Sequence, residues 1–211
     1  MIRILAFCLL ALSLVVISAC SGEAGAADKH SHHSSQRVPP GGMEQKSLVV
    51  LSDQPMLDQY GNTRHLKSEV AAGKIVVVDF IFTSCQTICP VTTALMAESH
   101  KRLVDVPADA LSFVSISIDS AVDTPERLKA FSERHEGTWT FLTGEKRVMD
   151  EALVWLNAYS TNPEDHAAMI LIGDAATGEF SRIYGLPDPD FVEARVRDLL
   201  ARRTHGGTHT Y

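Results

Sequence analysis

The chain has 211 residues, 45% hydrophobic and 21% charged, with a mean hydropathy of +0.02. At ~100 to 200 residues per domain this suits one folded domain with extensions and excludes a mainly disordered chain. Nineteen Lys and Arg against 26 Asp and Glu leave a formal charge of -7 and a pI near 5.7, which excludes a general nucleic-acid binder.

Four cysteines, Cys8, Cys20, Cys85 and Cys89, are too few for a disulfide scaffold of this size, so their positions carry the information. Residues 1–19 hold one basic residue, Arg3, and then an unbroken apolar and small-residue run. The run is short for a spanning helix of ~20 apolar residues and ends in small residues, as a signal peptide does. Ile17-Ser18-Ala19-Cys20 resembles the bacterial lipobox, in which the cysteine is acylated and becomes the new N-terminus. Cys8 then leaves with the signal peptide and Cys20 carries lipid; the other reading is an uncleaved anchor ending near Cys20. Either way the remainder is exported and tethered, on the periplasmic face of a bacterial membrane. Without Arg3 the mature part keeps 18 basic and 26 acidic residues, about -8, so lipid and not surface charge supplies the anchoring.

Residues 20–46, after the lipidated Cys20, are rich in Ser, Gly, Ala and Pro without an apolar period and read as a flexible tether. His30, His32 and His33 lie there, and His205 and His209 lie in a similar polar tail, residues 204–211. Such tracts either collect metal loosely or are solvated linkers.

A single α/β domain is expected over residues 47–203. Its start reads as a small hairpin, from an apolar run at 48–52 through the Tyr60-Gly61-Asn62 turn to 63–66. Residues 75–82, IVVVDFIF, are β-branched, aromatic and almost wholly apolar, as a strand covered on both faces must be. A helix follows over 90–104 with Pro90 in its first turn, then a strand over 111–118. Thr124-Pro125-Glu126 caps and opens a helix running to about 134, a short strand covers 139–142, and Val148, Met149, Leu153 and Leu156 space a helix over 146–159. Strands at 168–172 and 180–184 flank a turn-rich stretch and form a hairpin before a last helix over 188–203. A βαβ half followed by a ββα half predicts a thioredoxin-like fold, a central mixed sheet flanked by helices with the N-terminal hairpin as an extension.

Thr83-Ser84-Cys85-Gln86-Thr87-Ile88-Cys89-Pro90 stands where the central strand hands over to the first long helix, the edge at which open α/β sheets place their sites. Helix N-terminal N–H groups favour thiolate over thiol, so Cys85 and Cys89 are expected to be a reactive redox pair. Their i, i+4 spacing puts both sulfurs on one side, close enough to share a metal or close a disulfide. Soft thiolates select Cu(I) or Zn. A purely structural disulfide would close too short a loop to remove much entropy.

Two sulfurs do not complete a metal site. His100 follows Cys89 by eleven residues, roughly 16 Å along a helix, and is out of reach. His65 beside a turn and His135 at a helix end have ordinary explanations as solvated or helix-terminal residues. His166 ends Pro163-Glu164-Asp165-His166 just before a strand, in the loop that faces the redox motif in a thioredoxin-like fold. A solvated loop histidine is the plain alternative, and Asp165 is a candidate to orient neighbouring groups.

Three pieces of the chain resemble the Sco (SenC) family of thioredoxin-like copper-handling proteins, which take part in assembling the copper centre of cytochrome c oxidase. They are Val78-Asp79-Phe80-Ile81-Phe82-Thr83 leading into Cys85-xxx-Cys89-Pro90, Ser115-Ile116-Ser117-Ile118-Asp119 with Asp123-Thr124-Pro125, and Asp165-His166 before Met169. The resemblance spans about residues 48–200 and implies that Cys85, Cys89 and His166 are copper ligands, for Cu(I) and also Cu(II). It further implies a partner, the copper-site subunit of the oxidase or another copper or thiol protein. The chain departs from the family pattern with Gln86 and Thr87 inside the cysteine pair and Asp119-Ser120 where Asp-Pro is usual, changes that remove no ligand.

Two functions use the same pair. A metallochaperone binds copper and passes it to partner thiolates; a thiol-disulfide oxidoreductase keeps partner cysteines reduced. Only the first needs His166. A peroxidase rests on Thr83 alone and is the weakest of the three.

Overall fold

The computed structural model describes residues 43–206. The strands and α-helices run β1 (Met43–Leu48), β2 (Pro55–Asp58), β3 (Thr63–His65), β4 (Ile75–Ile81), α1 (Ile88–Arg102), β5 (Leu111–Ser117), α2 (Pro125–Arg134), β6 (Thr140–Thr143), α3 (Lys146–Trp155), β7 (Met169–Asp174), β8 (Glu179–Tyr184) and α4 (Pro189–Gly206). One π-helical turn at Leu66–Val70 and one 3-10 turn at Pro163–Asp165 interrupt the loops.

All eight strands form one sheet in the order β1-β8-β7-β4-β5-β6-β2-β3. β4, β5 and β6 are parallel to their neighbours in that trio, and every other pairing is antiparallel. Every residue of β4 is buried, which agrees with its continuous apolar sequence and its place in the middle of the sheet. α1 and α4 pack on each other and on β4. α2 starts as its sequence requires: the Thr124 hydroxyl accepts the Arg127 N–H and Pro125 occupies the first turn.

The N-terminal hairpin forms from different residues than its apolar run suggested. Its first strand is β2, which pairs with β3, while the apolar run divides: Leu48, exposed, ends β1 opposite Glu179, and 49–52 joins no ladder although Val49 and Leu51 are buried. The strand preceding it, β1, is polar and adds to the sheet edge beside β8. Periodicity cannot find such a strand, because β1 is exposed along nearly its whole length and so shows neither an apolar run nor alternation. The β7–β8 hairpin forms as expected, and Gly173 is required within it: a Cβ there would stand 2.3 Å from the Phe180 ring.

Candidate functional site

The parallel strand β4 delivers the chain to the sheet edge at Phe82, and the next five residues make a tight approach to α1. Asp123 pins the start of that approach: its carboxylate accepts the Thr83 N–H at 3.0 Å, the Thr83 hydroxyl at 2.5 Å and the Ser117 hydroxyl at 2.7 Å. Arg127 Nε donates to Thr83 Oγ1 from outside at 3.0 Å. The Cys85 N–H then turns back to the Phe82 carbonyl at 3.1 Å, which drops the Cys85 side chain onto the end of α1.

Thr87, the residue at the helix cap position, makes no side-chain cap bond. The Cys85 sulfur takes that role and accepts the Cys89 N–H at 3.3 Å. Burial of Cys85 opposes its ionisation, but the Cys89 thiol and the backbone N–H groups of Cys89, Thr87 and Ile88 outweigh it and hold the Cys85 thiol below the usual cysteine range. Cys89 is the opposite case. Burial, the hydrogen bond with Cys85, and the charges of Cys85 and Asp79 all push its thiol up. Both cysteines are free thiols, 8% and 3% exposed. The pair is therefore asymmetric: Cys85, which lines the cleft, ionises more readily than Cys89, whose thiol is held in its protonated form.

His166 follows the 3-10 turn Pro163–Asp165 and lies half-buried with its ring 5.6 Å from the Phe80 ring. Burial lowers its pKa against the backbone of Ala158 and Ala167, which favours the charged form. A neutral imidazole keeps a lone pair, which is what metal ligation needs. Cys85, Gln86, Thr87, Glu164 and His166 share one open cleft of about 460 Å³; Cys89 does not line it. One thiol and an imidazole face this cleft with the second thiol buried beside Cys85, and two thiols with an imidazole are a donor set suited to Cu(I). The trio is not preassembled, for among the described residues no three of His, Cys, Asp or Glu stand close enough together to hold a metal ion. For these three to hold one ion, with ligand bonds of ~2.0 to 2.3 Å, the His166 segment and the Cys85 loop would have to draw together.

The other histidines are accounted for by packing. His65 Nδ1 meets the Asp53 carbonyl at 2.8 Å, His100 sits edge-on to Phe113 with ring centres 5.0 Å apart, and His135 packs on Phe131 at 4.5 Å. Asp165 accepts a hydrogen bond from Asn162 at 3.2 Å and so braces its own loop. Cys8, Cys20, His30, His32, His33 and His209 lie outside the described residues, and His205 falls in the last turn of α4.

Three residues that matter to the site escaped the sequence reading. Asp123 and Asp79 entered only inside the motifs of the resemblance, without a role. Asp79, on the buried strand β4, accepts the Ser115 hydroxyl at 2.5 Å while Ser115 Oγ accepts Trp139 Nε1–H at 2.8 Å; its other oxygen has no partner among the described residues. Arg182 on β8 is fully buried. A charged residue inside an apolar strand run was the available signal for both of the last two.

The SCO1/SenC family model matches residues 46–200. The SCO1 protein homolog of Bacillus subtilis (strain 168) is 31% identical over 135 residues, covering 62% of this chain and 69% of that protein. Among solved structures, BsSco, a member of the Sco family of cytochrome c oxidase assembly proteins in which a disulfide switch was identified, superposes with a TM-score of 0.62 at 24% identity, covering 77% of this chain and 98% of that one. Arabidopsis thaliana ScoI with copper bound gives a TM-score of 0.63 at 17% identity, covering 74% and 99%. At these identities the structural likeness establishes the thioredoxin-like fold.

Proposed function

The chain belongs to the SCO1/SenC family, and from that premise we propose that it is an exported, membrane-tethered metallochaperone that binds copper through Cys85, Cys89 and His166. It delivers copper to, or matures, the copper centre of cytochrome c oxidase. The observation that carries the reading is the shared cleft: a thiol held below its usual pKa and an uncharged imidazole face the same open space. Copper is the cargo. A soft cation with few preferred ligands suits transfer, because a partner's thiolates can replace these donors one at a time. His166 distinguishes this role from dithiol chemistry, which has no use for an imidazole at that position. Tethering rests on the lipobox-like Cys20, and among the described residues no helix is long and apolar enough to cross a membrane.

The unequal thiols favour a second reading, a thiol-disulfide oxidoreductase. In it the Cys85 thiolate attacks a partner disulfide and forms a mixed disulfide, releasing one partner thiolate. Cys89 gives up its proton and attacks the Cys85 sulfur; the second partner thiolate leaves, and the Cys85–Cys89 pair carries the oxidation. A Cu(I) titration of the reduced protein beside His166→Ala and Cys85→Ser separates the two. Loss of tight binding in both variants is the expected result. Equal copper binding by wild type and His166→Ala, with equal reduction of a partner disulfide, overturns the chaperone role of His166.

A further inference from the structure

Arg182 is 1% exposed, and among the described residues no carboxylate pairs with it. An arginine cannot shed its charge to suit burial, so a guanidinium in the interior has to be met by oriented acceptors. Those acceptors all come from the two ends of one segment. Nη2 donates to the Leu156 carbonyl at 2.8 Å, and Nη1 donates to the Asn157 carbonyl at 3.2 Å and contacts Met169 Sδ at 2.8 Å. Leu156 ends α3, and Met169 opens β7. The carbonyls at a helix C-terminus carry partial negative charge and otherwise lack partners, which makes them suitable acceptors for a buried cation.

The intervening residues, 158–168, carry His166. Register places Arg182 on the same face of the sheet as Phe80: Arg182 lies opposite Leu171, Leu171 lies opposite Val78, and Phe80 is two residues beyond Val78. His166 rests on that Phe80. Its imidazole also interacts with the backbone of Ala158, the residue directly after the two whose carbonyls Arg182 holds. Asn157 adopts a left-handed backbone, φ 49°, as asparagine readily does where a helix ends, and the N–H groups of Asn157 and Ala158 turn back to the Val154 and Leu153 carbonyls, leaving the Leu156 and Asn157 carbonyls to Arg182.

We propose that Arg182 is a positioning residue for His166, clamping the start and end of the 156–169 segment to one guanidinium so that the imidazole stays over Phe80 at the edge of the Cys85 cleft. This deepens, and rests on, the reading of His166 as a copper ligand. The segment has to close toward the cysteines when copper binds, and a clamp at its two ends leaves its middle free to move while its ends stay fixed.

The test uses the full reduced chain with four variants: Arg182→Met, Arg182→Lys, His166→Ala and the Arg182→Met/His166→Ala double. Amide hydrogen exchange is followed on the metal-free protein, and Cu(I) affinity is measured by competition with a chromophoric Cu(I) chelator. Arg182→Met is expected to speed exchange within 156–169 and leave β4 protected, and to weaken Cu(I) binding by about tenfold to hundredfold, the usual effect of losing a residue that orients a ligand. Arg182→Lys keeps the charge without the two-pronged grip and falls between. In the His166→Ala background Arg182→Met should cost nothing further. An equal loss in both backgrounds, or wild-type affinity for Arg182→Met where His166→Ala is weakened, overturns the positioning role and leaves the ligand reading intact. Wild-type affinity for His166→Ala defeats the ligand reading instead; exchange alone then decides the clamp, and unchanged exchange in 156–169 overturns it. If Arg182→Met loses protection throughout the sheet, Arg182→Lys carries the same comparisons.

Discussion

Asp79 is expected to make the folded protein less stable at neutral pH than in mild acid, and Asp79→Asn to remove that contribution. The carboxyl lies in the fully buried strand β4 with one oxygen on Ser115 and the other without a partner among the described residues. Burial, only partly offset by the Ser115 hydrogen bond and its own backbone, raises its pKa from 3.8 to about 7. Below 3.8 the group is neutral in both states and costs nothing. Between 3.8 and about 7 the unfolded chain ionises and the folded one does not, so stability falls as pH rises through that window. At about 1.36 kcal/mol per pH unit over about three units, the loss comes to about 4 kcal/mol. Asparagine has nearly the neutral acid's shape and no proton to lose. The stability difference between Asp79→Asn and wild type should therefore swing by about 4 kcal/mol in favour of the variant from pH 4 to pH 8, whatever fixed cost the amide brings. Guanidinium unfolding of both proteins under reducing conditions at half-unit pH steps measures it. Parallel stability curves would refute the assignment of a buried, pH-sensitive charge to Asp79. Because the Asp79 charge also opposes ionisation of Cys89, the same residue bears on the thiol pair.

The asymmetry of that pair predicts alkylation in sequence: iodoacetamide at pH 7 should modify Cys85 first, and Cys85→Ser should leave Cys89 at least about tenfold slower than Cys85 in the wild type, followed by mass spectrometry over time. Equal rates would contradict the depressed Cys85 thiol. Asp123→Ala removes the acceptor of the Thr83 N–H, the Thr83 hydroxyl and the Ser117 hydroxyl and should cost about 3 kcal/mol in denaturant unfolding, at about 1 to 3 kcal/mol for each buried donor left without a partner; a loss below about 0.5 kcal/mol would mean that water replaces the carboxylate. Cys20→Ser should abolish incorporation of labelled palmitate and release the protein from bacterial membranes, whereas retention without label would point to an uncleaved anchor.

Much of the architecture is local. β4 announces itself through seven consecutive buried positions, α2 through Thr124 and Pro125, and the β7–β8 hairpin through two apolar runs about a turn. The reactive cysteines were legible for the same reason, since a CxxxC pair between a buried strand and a helix needs only neighbours in sequence to define it. Where local pattern was misleading, as at 48–52, Val49 and Leu51 pack into the core without joining a ladder, and periodicity cannot tell those two fates apart.

Sequence by itself determined the order of elements from β4 onward, the family and the candidate donors, because these depend on residue identity and short-range spacing. Tertiary structure decided how the donors behave. Which cysteine ionises more readily follows from where α1 begins relative to the Cys85 sulfur. That His166 lines the Cys85 cleft, 81 positions along the chain from that cysteine, follows from β7 returning antiparallel beside β4. The brace from Asp123 to Thr83 and the grip of Arg182 on Leu156, Asn157 and Met169 join segments distant in sequence. Such contacts arise only when the sheet aligns its strands, and a linear chain carries no local mark of them.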